Sequence, residues 1–225
     1  MLILMLASHN SLTGSPVKFG LLRPFNFLSK CQTLTLEEQH AAGVRIFDLR
    51  VAKWGDDWFG AHGAQLYGIR IYEALFTLRN LAKEDDPIYF RIICEDTFYR
   101  GSCIQELITL VNGFLRDFGL PYLRPLYVRS KRCWDLVREY EHNQECADFP
   151  DLWETKYTRK GMADAVQKLY ELKTTDDKLN LVACYTSKFI PFLSAKILTK
   201  IALKKPWKNN DVPVIDFVEP QILTV

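Results

Sequence analysis

The sequence predicts an α/β fold, a distorted or incomplete TIM (β/α) barrel in which residues 1–225 form a single domain. Short apolar runs rich in β-branched and aromatic residues alternate with segments of helical periodicity, which is the pattern of parallel strands joined by helices. Hydrophobic residues make up 48% of the 225, enough for one sizeable core. A third observation, polar groups at the ends of several apolar runs, is typical of a barrel's functional rim.

The chain begins with an apolar run, Met1–Asn10, which we interpret as a first strand. A signal peptide is disfavoured because the run has no basic leader and no small-residue cleavage site. A loop over Ser11–Lys30 follows. The next element is a helix with a capping box formed by Thr35 and Glu38, and it ends at Gly43.

A hairpin interrupts the regular alternation of strand and helix. The second strand is Gly43–Val51, and a turn at Trp54–Asp57 leads straight into the strand that ends at His62. That connection is too short to contain a helix, so the two strands are antiparallel.

The rest of the chain continues the alternation. We predict helices at Arg70–Lys83, Cys103–Gly119, Lys131–His142, Gly161–Leu172 and Ser187–Lys205. We predict strands at Ile88–Cys94, Leu126–Val128, Leu179–Tyr185 and Val212–Phe217. Residues 147–160 are expected to be irregular. A total of about six or seven clear strands predicts a barrel that is irregular or open.

Net charge and cysteine content indicate which classes of partner and which cellular compartment to expect. The net charge of +2 and the lack of an aromatic–basic stripe argue against a nucleic-acid partner. The six cysteines show no zinc-site spacing, and we expect them to be reduced, with Cys94 and Cys184 buried. No apolar stretch is as long as a transmembrane helix, so we expect a cytoplasmic protein. We also expect a monomer.

Four polar residues, His9, Asp48, Arg50 and His62, lie at or near the ends of three predicted strands. We expect them to share one rim of the barrel. Two imidazoles can exchange protons with a phosphate ester while a guanidinium holds its anion. Isolated structural histidines and a purely structural Asp48–Arg50 ion pair are the alternatives, although a guanidinium left without an anion in a barrel mouth is costly.

Three further polar residues have simpler interpretations. His40 and His142 lie in charged helical segments, where we expect them to be solvated. Asp216 follows the last predicted strand, and its spacing alone indicates a helix N-cap.

Four short motifs occur in a characteristic order: SHNS at Ser8–Ser11, CQTLTLEEQ at Cys31–Gln39, GVRIFDLR at Gly43–Arg50, and His62-Gly63. Together they resemble the catalytic X region of phosphatidylinositol-specific phospholipase C, most closely its bacterial, metal-independent branch. The resemblance covers residues 1–100, is weaker over 120–180, and returns at Val214–Phe217. The combination of motifs is specific, whereas each motif alone is short.

The resemblance implies a role for each matched residue. His9 matches the general base that takes a proton from the inositol 2-hydroxyl, and His62 matches the acid that protonates the leaving diacylglycerol oxygen. Arg50, in the D-x-R motif that begins at Asp48, matches the arginine that binds the phosphate. Asp216 resembles the aspartate that orients the base. The implied reaction is an intramolecular transesterification to a cyclic 1,2-phosphate, which needs no cofactor.

Asn10 departs from the bacterial pattern, in which an aspartate at this position supports the acid histidine. An amide can orient an imidazole but cannot raise its pKa by charge. Asparagine here resembles the calcium-dependent eukaryotic branch, so a calcium ion bound by Asn10, Asp48 and Glu95 is the alternative cofactor. We favour no metal, because the Arg50 guanidinium would repel the ion and can perform its role.

Three residues are candidates for substrate binding: Asn10, Arg91 and Tyr157. Arg91 shares a strand face with Glu95, and it either assists phosphate or inositol binding, as a lysine does in bacterial relatives, or forms a salt bridge within the barrel. Tyr157 resembles a tyrosine that stacks on the inositol ring.

The segment Ser187–Lys208 alternates apolar residues with lysines and contains Trp207. A basic amphipathic helix of this kind can lie on an anionic membrane, which would give peripheral membrane contact. An outer barrel helix whose lysines cover its solvent face has the same pattern, and we favour that interpretation.

The sequence therefore predicts a phosphodiesterase whose substrate is a phospholipid or an inositol phosphodiester. Two alternatives remain open. One is a non-catalytic module that binds inositol phosphate or lipid, which Asn10 motivates. The other is a phosphodiesterase for a different substrate with a neighbouring hydroxyl.

Overall fold

The computed structural model describes residues 5–19, 23–99, 101–133, 135–140, 146–149, 159–171, 179–184, 191–208 and 210–219. Its strands are β1 (Leu6–Ser8), β2 (Val17–Phe19), β3 (Val44–Trp54), β4 (Asp57–His62), β5 (Gln65–Arg70), β6 (Ile88–Cys94), β7 (Leu123–Ser130), β8 (Val137–Glu139), β9 (Cys146–Phe149), β10 (Leu179–Ala183) and β11 (Asp211–Ile215). Its α-helices are α1 (Leu36–Ala41), α2 (Ile71–Leu81), α3 (Ile104–Phe118), α4 (Arg159–Glu171) and α5 (Pro191–Lys204). Two short 3-10 helices are Ser11–Gly14 and Arg23–Leu28.

The parallel part of the sheet has the strand order β7-β6-β3-β1-β11-β10-β9, and each strand is parallel to its neighbour. Helices α1, α2, α3, α4 and α5 precede β3, β6, β7, β10 and β11, respectively. In the described part of the chain, no pairing joins β9 to β7 or β8. The predicted distorted, incomplete barrel is therefore confirmed, and the sheet is open between these strands.

Alternate residues of the parallel strands point into the barrel and toward the outer helices. In β3, Ile46 belongs to the inner apolar cluster, whereas Phe47 packs in the outer cluster with the helices. Asp48 and Arg50 share the face of Ile46 by the two-residue period of a strand. Arg91 lies opposite Asp48 in the β3–β6 register. The barrel interior thus changes from apolar to charged toward the carboxyl ends of these strands.

The predicted hairpin is confirmed, and it is larger than expected. The end of β3 pairs with antiparallel β4, so that Val51 lies opposite Gly60. Gly55 occupies the turn at a φ of 64°, a left-handed conformation that glycine adopts without strain. Strands β5 and β2 continue the antiparallel pairing beyond β4, whereas the sequence predicts a loop where β2 lies.

Several other elements match their predictions. The capping box of Thr35 and Glu38 is present at the start of α1. Helix α3 and strand β6 lie close to the expected boundaries. Among the described residues, no helix combines the length and apolar composition required to cross a bilayer.

Two predicted elements in the second half were wrong. The segment Lys131–His142, expected to be a helix, contains strand β8, which pairs antiparallel with β7. The turn between these strands is closed by a hydrogen bond from the Ser130 N–H to the Leu136 carbonyl at 3.0 Å. The expected irregular segment over 147–160 includes most of β9 and the first residues of α4. His142 lies outside the described residues.

His40 is also placed differently from our expectation. Its ring is partly buried, with Nε2 3.3 Å from Asp86 Oδ2, rather than fully solvated. Arg45 forms an ion pair with the same carboxylate, so the three residues form a small polar cluster. This cluster lies at the amino end of β3, far along the strand from Arg50.

Candidate active site

The ends of two adjacent parallel strands bring His9 and Asp216 together. In the β1–β11 register, Ala7 lies opposite Val214 and Ser8 lies opposite Ile215. His9 and Asp216 are the next residues of the two strands, and His9 Nδ1 lies 2.7 Å from Asp216 Oδ1. This contact, between residues 207 positions apart, agrees with the base-orienting role that the resemblance implies for Asp216 rather than with the N-cap that spacing alone indicates.

Arg50 and Asn10 determine the tautomer of His9. Arg50 Nη2 lies 2.8 Å from His9 Nε2 and Asn10 Nδ2 lies 3.3 Å from it, and both groups can only donate. His9 Nε2 is therefore an acceptor, and the ring proton is on Nδ1, where it is donated to Asp216. A neutral imidazole with a free lone pair on Nε2 is the form required of a general base.

Asp48 links Arg50 to Arg91 at the bottom of the site. Its Oδ2 accepts from Arg50 Nε at 3.2 Å, and its Oδ1 lies 3.2 Å from Arg91 Nε. Burial alone would raise the pKa of Asp48, but Arg91 and Arg50 outweigh it and hold the pKa below its usual value. Arg91 also donates to Tyr127 Oη at 3.0 Å. The alternative of a salt bridge within the barrel is therefore the contact that Arg91 makes in this structure.

The hairpin places His62 opposite His9. Since β4 returns antiparallel to β3, its last residue comes back to the level of Asp48 and Arg50. The two imidazole rings are 6.1 Å apart between centroids and meet edge to face. His62 Nδ1–H donates to the Ser29 carbonyl at 2.6 Å, which leaves Nε2 for proton transfer. His9 lies at the carboxyl end of a parallel strand, where barrel enzymes place their chemistry. His62 reaches the same rim differently, because β4 pairs with the last residues of β3, which extend beyond the parallel sheet.

Burial lowers the pKa of both histidines. For His9 the pKa falls well below its usual 6.5 because of burial, with Arg50 and His62 adding repulsion. For His62 the pKa falls to about 4 because of burial and Arg50. Burial raises the pKa of Asp216 to about 8, and the Cys31 thiol and Arg50 oppose this increase. Both rings are thus neutral near pH 7 in the ligand-free protein.

Asn10 does not contact His62 in the way expected of an aspartate at this position; the Ser29 carbonyl and Cys31 lie against the His62 ring instead. Asn10 Nδ2 contacts His9 and lies 3.5 Å from Cys31 Sγ, while its backbone N–H donates to Asp48 Oδ2 at 3.2 Å. His62 is held by the Ser29 carbonyl, with Cys31 Sγ 3.7 Å from Nδ1. Burial raises the pKa of the Cys31 thiol well above its usual value, so the thiol is neutral.

Lys131 is a site residue that the sequence analysis missed. Its Nζ donates to both oxygens of the fully buried Glu95, at 2.9 and 2.7 Å, and Arg50 Nη1 lies 3.9 Å from the same carboxylate. Lys131 immediately follows β7, so its position at a strand's carboxyl end was the available signal. The wrong helix prediction for this segment concealed it.

Two predicted regions lie wholly or partly outside the described residues. Tyr157 and the first residues of Ser187–Lys208 lie outside the described residues. In α5, Leu198 and Ala202 are buried in the core, and Trp207 packs against it while donating to the Ala202 carbonyl. These contacts are those of an outer barrel helix.

The carboxylates that could bind a metal are paired with cations. Asp48 contacts Arg50 and Arg91, and Glu95 contacts Lys131, so a calcium ion there would have to displace three positive side chains. His9, Cys31 and Asp216 place potential ligand atoms within 4.8 Å of one another. However, His9 Nδ1 and Asp216 share a hydrogen bond and Arg50 lies against Nε2, so these residues fit a proton-transfer pair better than a cation site.

The fold of the chain is similar to that of solved structures. The phosphatidylinositol-specific phospholipase C of Listeria monocytogenes is similar over 98% of this chain and 90% of that chain, with a TM-score of 0.63 and 19% identity. A variant of the Staphylococcus aureus enzyme matches over 99% and 91% of the two chains, with a TM-score of 0.67 and 12% identity. No family model and no curated protein matches the sequence. The chain has the fold of the bacterial phosphatidylinositol-specific phospholipases C, as its motifs predicted.

Proposed function

We propose that the protein is a phosphodiesterase that cleaves phosphatidylinositol-like diesters by intramolecular transesterification. The observation that carries this proposal is the convergence of His9, His62 and Arg50 on one gap, with both Nδ1 atoms engaged in hydrogen bonds. Two imidazole rings whose Nε2 atoms can exchange protons once a phosphate binds the guanidinium suit a phosphodiester with a neighbouring hydroxyl. The shared fold supports the same substrate class.

The reaction consists of one displacement at phosphorus and two proton transfers. His9 Nε2 takes the proton of the substrate hydroxyl while the hydroxyl oxygen forms a bond to phosphorus. The bond between phosphorus and the leaving oxygen breaks, and imidazolium His62 donates its Nε2 proton to that oxygen. The products are a cyclic phosphodiester and an alcohol. Because the nucleophile belongs to the substrate, attack is effectively unimolecular.

Arg50 changes partners when the substrate binds. In the ligand-free protein its Nη2 donates to His9 Nε2. A phosphate oxygen is a stronger, charged acceptor and draws the guanidinium away, which frees the Nε2 lone pair for the incoming hydroxyl. The anion also stabilises a positive charge on His62 and raises its pKa from about 4. Substrate binding thus prepares both the base and the acid.

We propose that this reaction needs no metal ion. Arg50 supplies positive charge next to the reacting phosphate, and Arg91 and Lys131 lie in the same network through Asp48 and Glu95. A guanidinium can stabilise a phosphorane-like transition state as a bound cation would. In this proposal Asp48 keeps Arg50 and Arg91 in place rather than acting as a metal ligand.

Exposed apolar side chains around the site suggest how a lipid substrate is reached. Trp54, at the hairpin tip, is 50% exposed, and Phe98 is 59% exposed. Phe98 lies beside His62-Gly63, since a methyl group added at Gly63 would meet its ring at 3.7 Å. Phe27 and Leu28 are exposed just before Ser29. We propose that this rim, rather than α5, makes peripheral contact with the membrane.

The cysteines favour a reducing compartment. Cys31, Cys94, Cys103, Cys133 and Cys184 are all free thiols. Disulfides form in oxidising compartments and are rare in the cytosol. We therefore propose that the protein acts as a cytoplasmic monomer at a membrane surface.

Phosphorus NMR of the protein with phosphatidylinositol vesicles tests the proposal. We expect a cyclic phosphodiester resonance that grows at the same rate with and without a chelator, and that is absent with His9→Ala. A product that disappears with chelator would contradict the metal-free reaction. Inositol phosphate binding with no cyclic product after long incubation would indicate the non-catalytic module, which the low pKa of His62 favours. Product from other diesters alone would change the substrate class.

A further inference from the structure

Gln32 makes an unusual set of hydrogen bonds next to the site. Its side chain is fully buried, at 0% exposure. Nε2 donates to the His9 carbonyl and to the Ile215 carbonyl, both at 3.0 Å, and Oε1 accepts from the Val218 backbone N–H at 3.0 Å. One amide group therefore binds the backbone of His9 and brackets Asp216 on both sides.

These bonds occur where the sheet ends. Strands β1 and β11 end at Ser8 and Ile215, and the His9 N–H still donates to the Ile215 carbonyl at 2.9 Å before the regular ladder stops. Asn10 and Phe217, the residues after His9 and Asp216, have φ values of 49° and 50°. Such left-handed conformations cost less for asparagine than for phenylalanine, and in both cases they persist because the surroundings hold them.

The neighbouring residues complete the same bridge. Phe217 N–H donates to the Cys31 carbonyl at 2.7 Å. The backbone N–H groups of Cys31 and Gln32 donate to Thr13 Oγ1, which itself donates to the Asn10 carbonyl. Both strained turns are thus tied to residues 31 and 32.

We infer that Gln32 is a positioning residue that keeps the His9–Asp216 pair in its reactive geometry. By fixing both backbone segments, it keeps His9 Nδ1 against Asp216 and His9 Nε2 within reach of Arg50 and Asn10. The ring proton therefore stays on Nδ1 and Nε2 remains an acceptor. Only a primary amide supplies two donors and an acceptor on one short side chain. The inference deepens the proposed function and rests on it for its kinetic consequences.

Gln39 provides a matched control. It is also 0% exposed, and its Nε2 donates to two backbone carbonyls, Ser11 at 2.9 Å and Leu34 at 2.8 Å. Neither partner belongs to His9 or to the turn around Asp216. Replacing either glutamine by methionine removes a primary amide at similar volume and takes one hydrogen bond from each of two backbone carbonyls. The Ile215 carbonyl keeps the His9 N–H, and Gln32→Met also removes the acceptor of the Val218 N–H.

The experiment compares Gln32→Met with Gln39→Met in kinetics and in the ¹⁵N chemical shifts of the histidine rings. We expect both variants to lose thermal stability. For Gln32→Met we expect kcat to fall about 10–10²-fold, because small displacements of catalytic groups are costly. We expect KM to change by no more than about twofold, because ground-state binding is retained. The His9 shifts should move toward a mixture of tautomers in Gln32→Met only.

Two outcomes would overturn the inference. One is an unchanged His9 tautomer in Gln32→Met, and the other is a loss of kcat no larger than that of Gln39→Met at equal loss of stability. If Gln32→Met does not fold, Gln32→Glu retains the volume and the acceptor for Val218 and is compared in the same way. The tautomer measurement needs no substrate, so it remains decisive even if the wild-type protein cleaves no phosphodiester.

Discussion

The two histidines of the site come from regions built on different principles. His9 follows β1 in the parallel part of the sheet, and the parallel register with β11 places Asp216 beside it. His62 ends β4 in the antiparallel arm, where a backbone carbonyl holds it. A titratable carboxyl partner can adjust the basicity of the first ring with pH, whereas a carbonyl can only orient the second. The difference suits a base on one side and an acid on the other.

The largest expected effect separates the roles of the two regions. His9→Ala and His62→Ala should each reduce turnover of phosphatidylinositol about 10²–10⁴-fold. With a substrate whose leaving group is a nitrophenol, His62→Ala should recover most activity, because such a group leaves without protonation. His9→Ala should not recover. Single-turnover kinetics with both substrates measure this, with His40→Ala as control, and equal recovery of both variants would reverse or remove the assigned roles.

Arg50 lies in β3, the strand shared by the two regions, and its replacement should have the next largest effect. Arg50→Lys keeps the charge but loses the planar fork, and we expect kcat/KM to fall about 10²–10³-fold. Arg45→Lys, at the other end of β3, is the matched control. Steady-state kinetics on both variants test this, and similar losses in the two would place the phosphate elsewhere.

Asp216 tests the parallel region alone. Its pKa is raised to about 8, so the carboxyl group gains charge as the pH rises through 8 and makes His9 a stronger base. The His62 requirement affects wild type and variant alike, so the ratio of wild-type to Asp216→Asn kcat/KM should rise through pH 8 and reach about 10–10²-fold. Asp211→Asn, at the amino end of β11, serves as control. A ratio that stays constant over this range would show that Asp216 does not titrate there.

Proton uptake on ligand binding tests the role of His62, which lies in the antiparallel region. Its pKa of about 4 in the ligand-free protein means that the ring is neutral at pH 6 to 7. A bound phosphate anion should raise that pKa, so binding takes up about one proton and weakens by up to about tenfold per pH unit as the pH rises. Calorimetry of an unreactive phosphodiester in buffers of different ionisation enthalpy measures the uptake. His62→Asn should abolish it and His40→Asn should not; uptake that persists in His62→Asn would contradict the assignment.

The smallest expected effect concerns Phe98, which follows parallel strand β6 and lies beside Gly63 of the antiparallel region. Phe98→Ser should weaken binding to anionic phospholipid vesicles by about fivefold, since an exposed ring loses apolar contact with the bilayer. Ile197→Ser, on the exposed side of α5, is the matched control. Vesicle sedimentation compares them, and a larger loss for Ile197→Ser would favour α5 as the contact surface.

The sequence by itself determined the barrel class, the capped helix and the hairpin, because these depend on local periodicity and on turn and cap residues. It also indicated His9, Arg50 and His62, since each lies at the end of an apolar run. Local signals failed at Lys131–His142, where the pairing of β8 with β7 outweighed a helical pattern. They also failed at β2, a strand of three residues that forms through its pairing with β5.

Only the tertiary structure decided which groups touch these residues. Ser29 and Gln32 lie far from their partners along the chain and bind through or to backbone atoms, which leave no compositional trace. The resemblance indicated Asp216, but its contact with His9 Nδ1 forms only in the assembled sheet. The pKa values of both histidines likewise depend on burial and on Arg50, which arise only when the strands assemble. Strand-end residues can thus be read from a linear pattern, whereas their proton affinities depend on contacts made across the fold.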